Sequence, residues 1–186
     1  MTLDVDALVS HCRTALSRRD PLADISEIVR EIVTDEASLT PYLNPPLDVD
    51  DDGVLFRDDE LFVALSAFPA GFRTGIHEHC VPVVIGVWRG FEDNVLFREV
   101  AGVLEESAVV HVTEGEVLAL GATAIHEVRA PRDSWTAGIH VYLGDLLAAG
   151  RRGWSDIAAV AEPLDSADMQ QRWAECALAS GLAVRT

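Results

Sequence analysis

Between Val54 and Leu143 the chain breaks into eight short runs rich in β-branched and aromatic residues, each closed by a turn signal. No other feature constrains the fold as much. The runs cover residues 54–57, 61–68, 81–89, 94–100, 108–113, 117–120, 125–129 and 135–143. The turn signals include Asp58-Asp59, Pro69-Ala70-Gly71, Gly90, Glu92-Asp93, Glu114-Gly115 and Pro131-Arg132-Asp133. Strands at this spacing leave no room for crossover helices. The expected fold is therefore mainly β, closed or two-sheeted, and not built of alternating β and α units.

Helices flank this region. Leu8, Val9, Cys12 and Leu16, then Leu22, Ile25, Ile28, Val29 and Ile32, recur at helical spacing. Asp20 followed by Pro21 is an N-cap and first-turn pair that divides them into two helices. A third short helix is expected over 35–43. Asn44, Pro45, Pro46 and the acidic stretch ending at Gly53 then stop regular structure. After Gly144 helical character returns over 156–161 and more clearly over 167–180, where Met169, Trp173, Cys176 and Ala177 form one stripe, read as packing or an oligomer contact. The expected organisation is one structural domain with a helical segment 1–53, a barrel 54–147 and a helical extension 148–186.

The size fits that reading. With 186 residues, 49% apolar and 24% charged, one core can form without disulfides or structural metal. All 14 basic residues are Arg; against 31 acidic residues they leave a net charge of −17. Such a surface repels phosphate backbones and anionic lipids, which excludes nucleic acid and membrane-surface partners. The first residues carry Asp4 and Asp6 where a secretory signal needs basic residues, and no apolar run approaches the ~20 residues of a membrane span, so a cytoplasmic location is expected. Cys12, Cys80 and Cys176 are odd in number and form no CxxC pair, which excludes a disulfide framework and a zinc knuckle.

The six histidines are unevenly placed. His77 and His79 stand two apart, so an extended segment projects both imidazoles from one face. His126 opens a later strand, and His140 with Tyr142 forms another i, i+2 pair. Four histidines and a tyrosine can share one interior. His11 and His111 receive no role. Cys80, next to His79, should point away from the histidine face and pack among apolar groups.

Gly71, His77, His79 and Gly90 match the first cupin motif in spacing, and Gly115 with His126 matches the second. Over about residues 55–145 the chain resembles the cupin superfamily. The resemblance implies a double-stranded β-helix barrel and a mononuclear metal held by His77, His79 and His126. Val83 occupies the place of the usual Glu ligand, and Gly121 and Thr123 replace the second motif's internal Pro and Gly. The site is then a three-histidine one.

That variant is similar to the cysteine dioxygenase and mercaptopropionate dioxygenase group, which carries a Ser-x-His-x-Tyr array. Here the stretch reads Gly138, Ile139, His140, Val141, Tyr142, so His and Tyr match and Ser does not. Val84 stands where the cysteine enzymes have the Cys that crosslinks to the tyrosine, so no such crosslink is expected. The resemblance implies an Fe(II) dioxygenase that oxidises a small carboxylate-bearing thiol to a sulfinate with O2. Three neutral imidazoles leave the cation its full charge and several open positions for a chelating anion. Tyr142, oriented by His140, would hydrogen-bond oxygen or a substrate head group.

A carboxylate substrate needs an anchor, and a planar guanidinium fits one through two parallel hydrogen bonds. Arg57 stands about where the cysteine enzymes place theirs; Arg73 and Arg89 compete. The expected partners are a small-molecule thiol or acid and O2, with a homodimer as the candidate assembly. Two alternatives share the fold: a metal-dependent cupin acting on a sulfur-free chelating substrate by oxidative cleavage, isomerisation or elimination, and a ligand-binding cupin without catalysis.

Overall fold

Two short helices open the structure, and each is started by an aspartate. In α1 (Val5–Leu16) the Asp4 carboxylate accepts from Ala7 N at 3.0 Å; in α2 (Pro21–Thr34) Asp20 accepts from Ala23 N at 3.2 Å, with Pro21 as the first helical residue. The computed structural model describes residues 3–35 and 53–180; the helix expected over 35–43 lies almost wholly outside them.

Eleven strands form two antiparallel sheets among the described residues. One sheet runs β1 (Val54–Arg57), β2 (Phe62–Phe68), β9 (Thr136–Tyr142), β4 (Val83–Arg89), β7 (Val117–Leu120). The other runs β11 (Glu162–Pro163), β10 (Arg152–Trp154), β3 (Ile76–Glu78), β8 (Ile125–Arg129), β5 (Phe91–Val100), β6 (Val103–Thr113). The chain passes repeatedly from one sheet to the other, so the fold is mainly β and two-sheeted, as the strand spacing predicts, and of the double-stranded β-helix type that the resemblance implies.

Side-chain alternation divides the first sheet into two faces. Leu61, Val63, Leu65, Val84, Trp88, Ala137, Ile139 and Val141 point outward and pack with Leu8, Cys12, Ile25 and Val29 of the helices. Phe62, Val83, Ile85 and Tyr142 point inward, where Leu120 and Leu146 join them. Covered on both sides, β9 is buried along its whole length. The helices approach closely at Gly86, where a Cβ would lie 2.4 Å from Val29 Cγ1 and 2.8 Å from Val33 Cγ1.

Three expectations need correction. Residues 156–161 are not helical. Asp156 instead organises a turn, accepting from Ala158 N at 3.1 Å, and the neighbouring chain supplies β10 and β11, so the second sheet extends beyond residue 147. Glu92-Asp93 is not a turn either, because β5 already starts at Phe91. The turn is made at Gly90, where a φ of +73° and the 3.0 Å that would separate an added Cβ from the Trp135 carbonyl oxygen disfavour any side chain. Cys80 does not pack among apolar groups: it is exposed, has φ +59°, and its thiol donates to Glu78 Oε1 at 3.2 Å.

The last helix, α3 (Ser166–Ala179), lies on the barrel. Trp173 Nε1 donates to the Ala67 carbonyl at 2.6 Å, Arg172 donates to the Thr74 carbonyl at 3.0 Å, and Ala177 is buried. The three cysteines are free thiols, and no described helix is long and apolar enough to cross a membrane.

Candidate metal centre

His77 and His126 are register partners on β3 and β8, so antiparallel pairing alone brings their side chains to one face. His79 follows the end of β3 and shares that face by alternation. The three rings stand 4.6–4.9 Å apart by centroid, and one nitrogen from each falls within 4.8 Å of the others. All three side chains are buried.

The hydrogen bonds settle which nitrogens face inward. His77 Nδ1 lies 3.0 Å from the Gly75 carbonyl, which only accepts, so Nδ1 carries the proton and Nε2 a bare lone pair. His126 Nδ1 lies 3.0 Å from Asn94 Oδ1 and donates to it in the same way. His79 Nε2 then lies 3.0 Å from His77 Nε2 and 3.3 Å from His126 Nε2. One proton cannot satisfy three converging nitrogens. A divalent ion held at about 2.1 Å from each sets neighbouring nitrogens roughly 3.0–3.4 Å apart, so these residues fit a metal.

Burial keeps the imidazoles neutral, as ligation requires. It pulls His77 down to about 4, with the Arg151 charge adding to the effect, and drives His79 and His126 well below the ordinary imidazole range. Among the described residues no carboxylate joins the cluster. In place of one, Val83 lies inside the barrel among apolar neighbours.

His140 and Tyr142 face the same interior from β9 of the opposite sheet. The Tyr142 ring stands edge-on to His79 at 5.0 Å, and its hydroxyl lies 3.1 Å from His140 Nδ1. Burial lowers His140 to about 4 and raises the Tyr142 phenol, so the pair is neutral. The serine missing at Gly138 has a substitute. Ser66, the register partner of Gly138 on β2, places its Oγ 3.1 Å from His140 Nε2. Its position on the inward face of β2, two residues beyond Ala64, is the signal that would have found it.

The two arginines favoured from sequence are both engaged elsewhere. Arg57 makes two hydrogen bonds to Asp145, at 3.1 and 2.9 Å, and is substantially exposed. Arg73 holds Glu127 through two bonds, at 2.9 and 2.6 Å, beside Arg129 on the outer face of the second sheet. Arg89 lies over the Trp135 ring at 4.0 Å. None of the three is placed with the histidines.

Arg151 is the residue the sequence did not reveal. Arg152 pairs with Glu78 on the outer face, and Gly153 is the register partner of His77; alternation therefore puts Arg151 on the histidine side. It is half-buried, and its charge acts on His77, His79 and Tyr142. Among the described residues no carboxylate pairs with it. A half-buried guanidinium without an anion offers its N–H donors to a carboxylate ligand. His11 is exposed on α1, and the exposed His111 bonds Asp93 at 2.7 Å; both lie apart from this site.

No protein-family model and no curated protein matches the chain. Several solved structures are similar at low identity. A protein with a double-stranded β-helix domain from Klebsiella pneumoniae is 15% identical at a TM-score of 0.44, over 59% of this chain and 81% of its own. A cupin superfamily protein from Desulfitobacterium hafniense is 15% identical at 0.41, over 50% of this chain and 74% of its own. The DMSP lyase of Ruegeria pomeroyi is 18% identical at 0.40, over 48% of this chain; the match spans 41% of that lyase's length.

Proposed function

We propose that the protein is a mononuclear non-haem Fe(II) enzyme that oxidises a small carboxylate-bearing thiol to a sulfinate, R–SH + O2 → R–SO2H. The observation that carries this reading is a buried cluster of three neutral imidazoles, without a carboxylate, that has an unpaired guanidinium on the same side. His77, His79 and His126 are the residues that would hold the metal. Bound there, Fe(II) supplies a site at which thiolate and dioxygen meet and react.

The remaining steps belong to the chain. Arg151 takes the substrate carboxylate in a bidentate grip, which fixes the direction in which the thiol enters. Tyr142 keeps its proton and offers a hydrogen-bond donor beside His79. His140, itself held by Ser66, fixes the direction of the Tyr142 hydroxyl. Phe62, Val83, Ile85 and Leu120 line the interior and exclude bulk water.

The test is anaerobic loading with Fe(II) followed by oxygen-uptake measurements with a panel of mercapto acids and sulfur-free diacids. Uptake stimulated by a mercapto acid, with sulfinate as product, and lost in His126→Ala, is the expected result. Uptake unaltered by that substitution overturns the proposal.

A further inference from the structure

Glu92 is the most unusual buried group among the described residues outside the metal cluster. It lies on β5, wholly buried, and neither carboxyl oxygen has a hydrogen-bond partner. Asn94, two residues along on the same face, uses Oδ1 to hold His126 and leaves Nδ2 without a partner. Register places this face inside the barrel: Asn94 pairs with Val128, and Leu96 pairs with His126. Two unsatisfied polar side chains on one buried face need a reason.

Charge supplies one. A divalent cation bound by three neutral imidazoles carries its whole +2 into the barrel, and Arg151 adds a further positive charge at the same end. In a medium of low dielectric constant such an excess is costly unless a negative charge lies within reach. Among the described residues no carboxylate stands in the ligand cluster. Glu92 is the acid on the inward face of β5, and its field reaches Tyr142. The Thr136 hydroxyl of β9 is its polar neighbour, Asn94 stands two residues along on the same face of β5, and no cation pairs with it among the described residues.

We propose that Glu92 balances the charge of the metal centre, carrying a proton in the metal-free barrel and releasing it to solvent when a divalent cation binds. The step is Glu92–COOH + M2+ → Glu92–COO− + bound M2+ + H+. Asn94 completes the link. Its amide N–H, free in the metal-free protein, turns to the new carboxylate, directly or through one water, while its Oδ1 keeps His126 in the ligating tautomer. Burial supports the protonated state, because it raises the carboxyl to about 8. Glu92 is thus a positioning and charge-balancing residue, not a ligand.

The inference rests on the three-histidine centre of the proposed function, and Co(II) binding tests the two separately. The full chain, stripped of metal, is titrated with Co(II) at about neutral pH, followed by visible absorption and by calorimetry in two buffers of different protonation enthalpy. The wild-type protein is expected to release about one more proton per Co(II) than Glu92→Gln, and Glu92→Gln to bind about 10- to 100-fold more weakly. Asn94→Ala is expected to weaken binding and keep the proton release. Infrared difference spectra of the wild-type protein should lose a protonated-carboxyl band on Co(II) addition, a readout that needs no variant. Equal proton counts and affinities in Glu92→Gln, or an unchanged carboxyl band, overturn the inference while leaving the metal centre intact. Absence of Co(II) binding by the wild-type protein, or undiminished binding by His126→Ala, overturns the centre and the inference together.

Discussion

Ser66 Oγ lies 3.1 Å from His140 Nε2, across the strand pair that sets Ser66 opposite Gly138. The hydroxyl therefore reaches the imidazole from the neighbouring strand instead of from two residues earlier on the same one. The backbone forbids the usual arrangement: a Cβ at residue 138 would stand 2.8 Å from the Gly86 carbonyl oxygen and 3.3 Å from Ser66 Oγ.

Ser66→Ala should strip His140 Nε2 of its partner inside the barrel and cost about 1–3 kcal/mol of stability. Gly138→Ser in that background should lower stability further instead of restoring it, because the new Cβ meets backbone. Urea denaturation of the two variants measures both effects. Recovery of wild-type stability in the double variant would contradict the geometry.

Gly86→Ala should loosen the seat of α2. The added methyl overlaps Val29 and Val33, and overpacking of this kind costs about 1–3 kcal/mol. Thermal unfolding followed by circular dichroism gives the magnitude. Amide exchange should rise first in α2 and in the outward face of β4.

The metal-free protein should be most stable near pH 7. His77 and His140 titrate at about 4 in the fold against 6.5 for free imidazole. Between those values the unfolded chain binds more protons, so stability rises with pH, and His79 and His126 act in the same direction. Glu92 acts oppositely. Its carboxyl moves from 4.5 to about 8, so across that window the folded protein keeps a proton the unfolded chain has lost, and stability falls as pH rises. The four histidines prevail up to about pH 7, and Glu92 outweighs them between about 7 and 8. Chelator-treated protein unfolded in urea across this range should show the decline, and Glu92→Gln should abolish it.

Arg151→Met should raise KM for a mercapto acid by about 10- to 100-fold, the value of a charge-assisted bidentate contact. Arg57→Ala should leave KM within a factor of about two, because it breaks only a solvent-screened surface pair with Asp145. Steady-state oxygen uptake distinguishes the two arginines. The reverse ranking would return the anchor to Arg57.

Much of this architecture is written in local pattern. The eight barrel strands carry alternation long enough to be seen, and His77, His79 and His126 stand at separations that pairing of β3 with β8 converts into contact. β3, β10 and β11 are two or three residues long and hold no period to detect. Arg151 and Arg152 are chemically identical neighbours. Only the register against β3 sends one to Glu78 outside and the other toward the histidines. Glu92 reads as loop because a second acid follows it and a glycine stands two residues before; enclosure between two sheets, a long-range property, reverses that reading.

The pairing of β10 with β3 makes the tail of the chain structural. Cut after Leu147, the protein would keep its eight principal strands but leave a ligand-bearing strand as a bare margin, open to water and to strands of other molecules. The same cut would remove Arg151, the guanidinium on the histidine side among the described residues. Any shortened form made for crystallisation or design therefore has to keep the chain at least through β10.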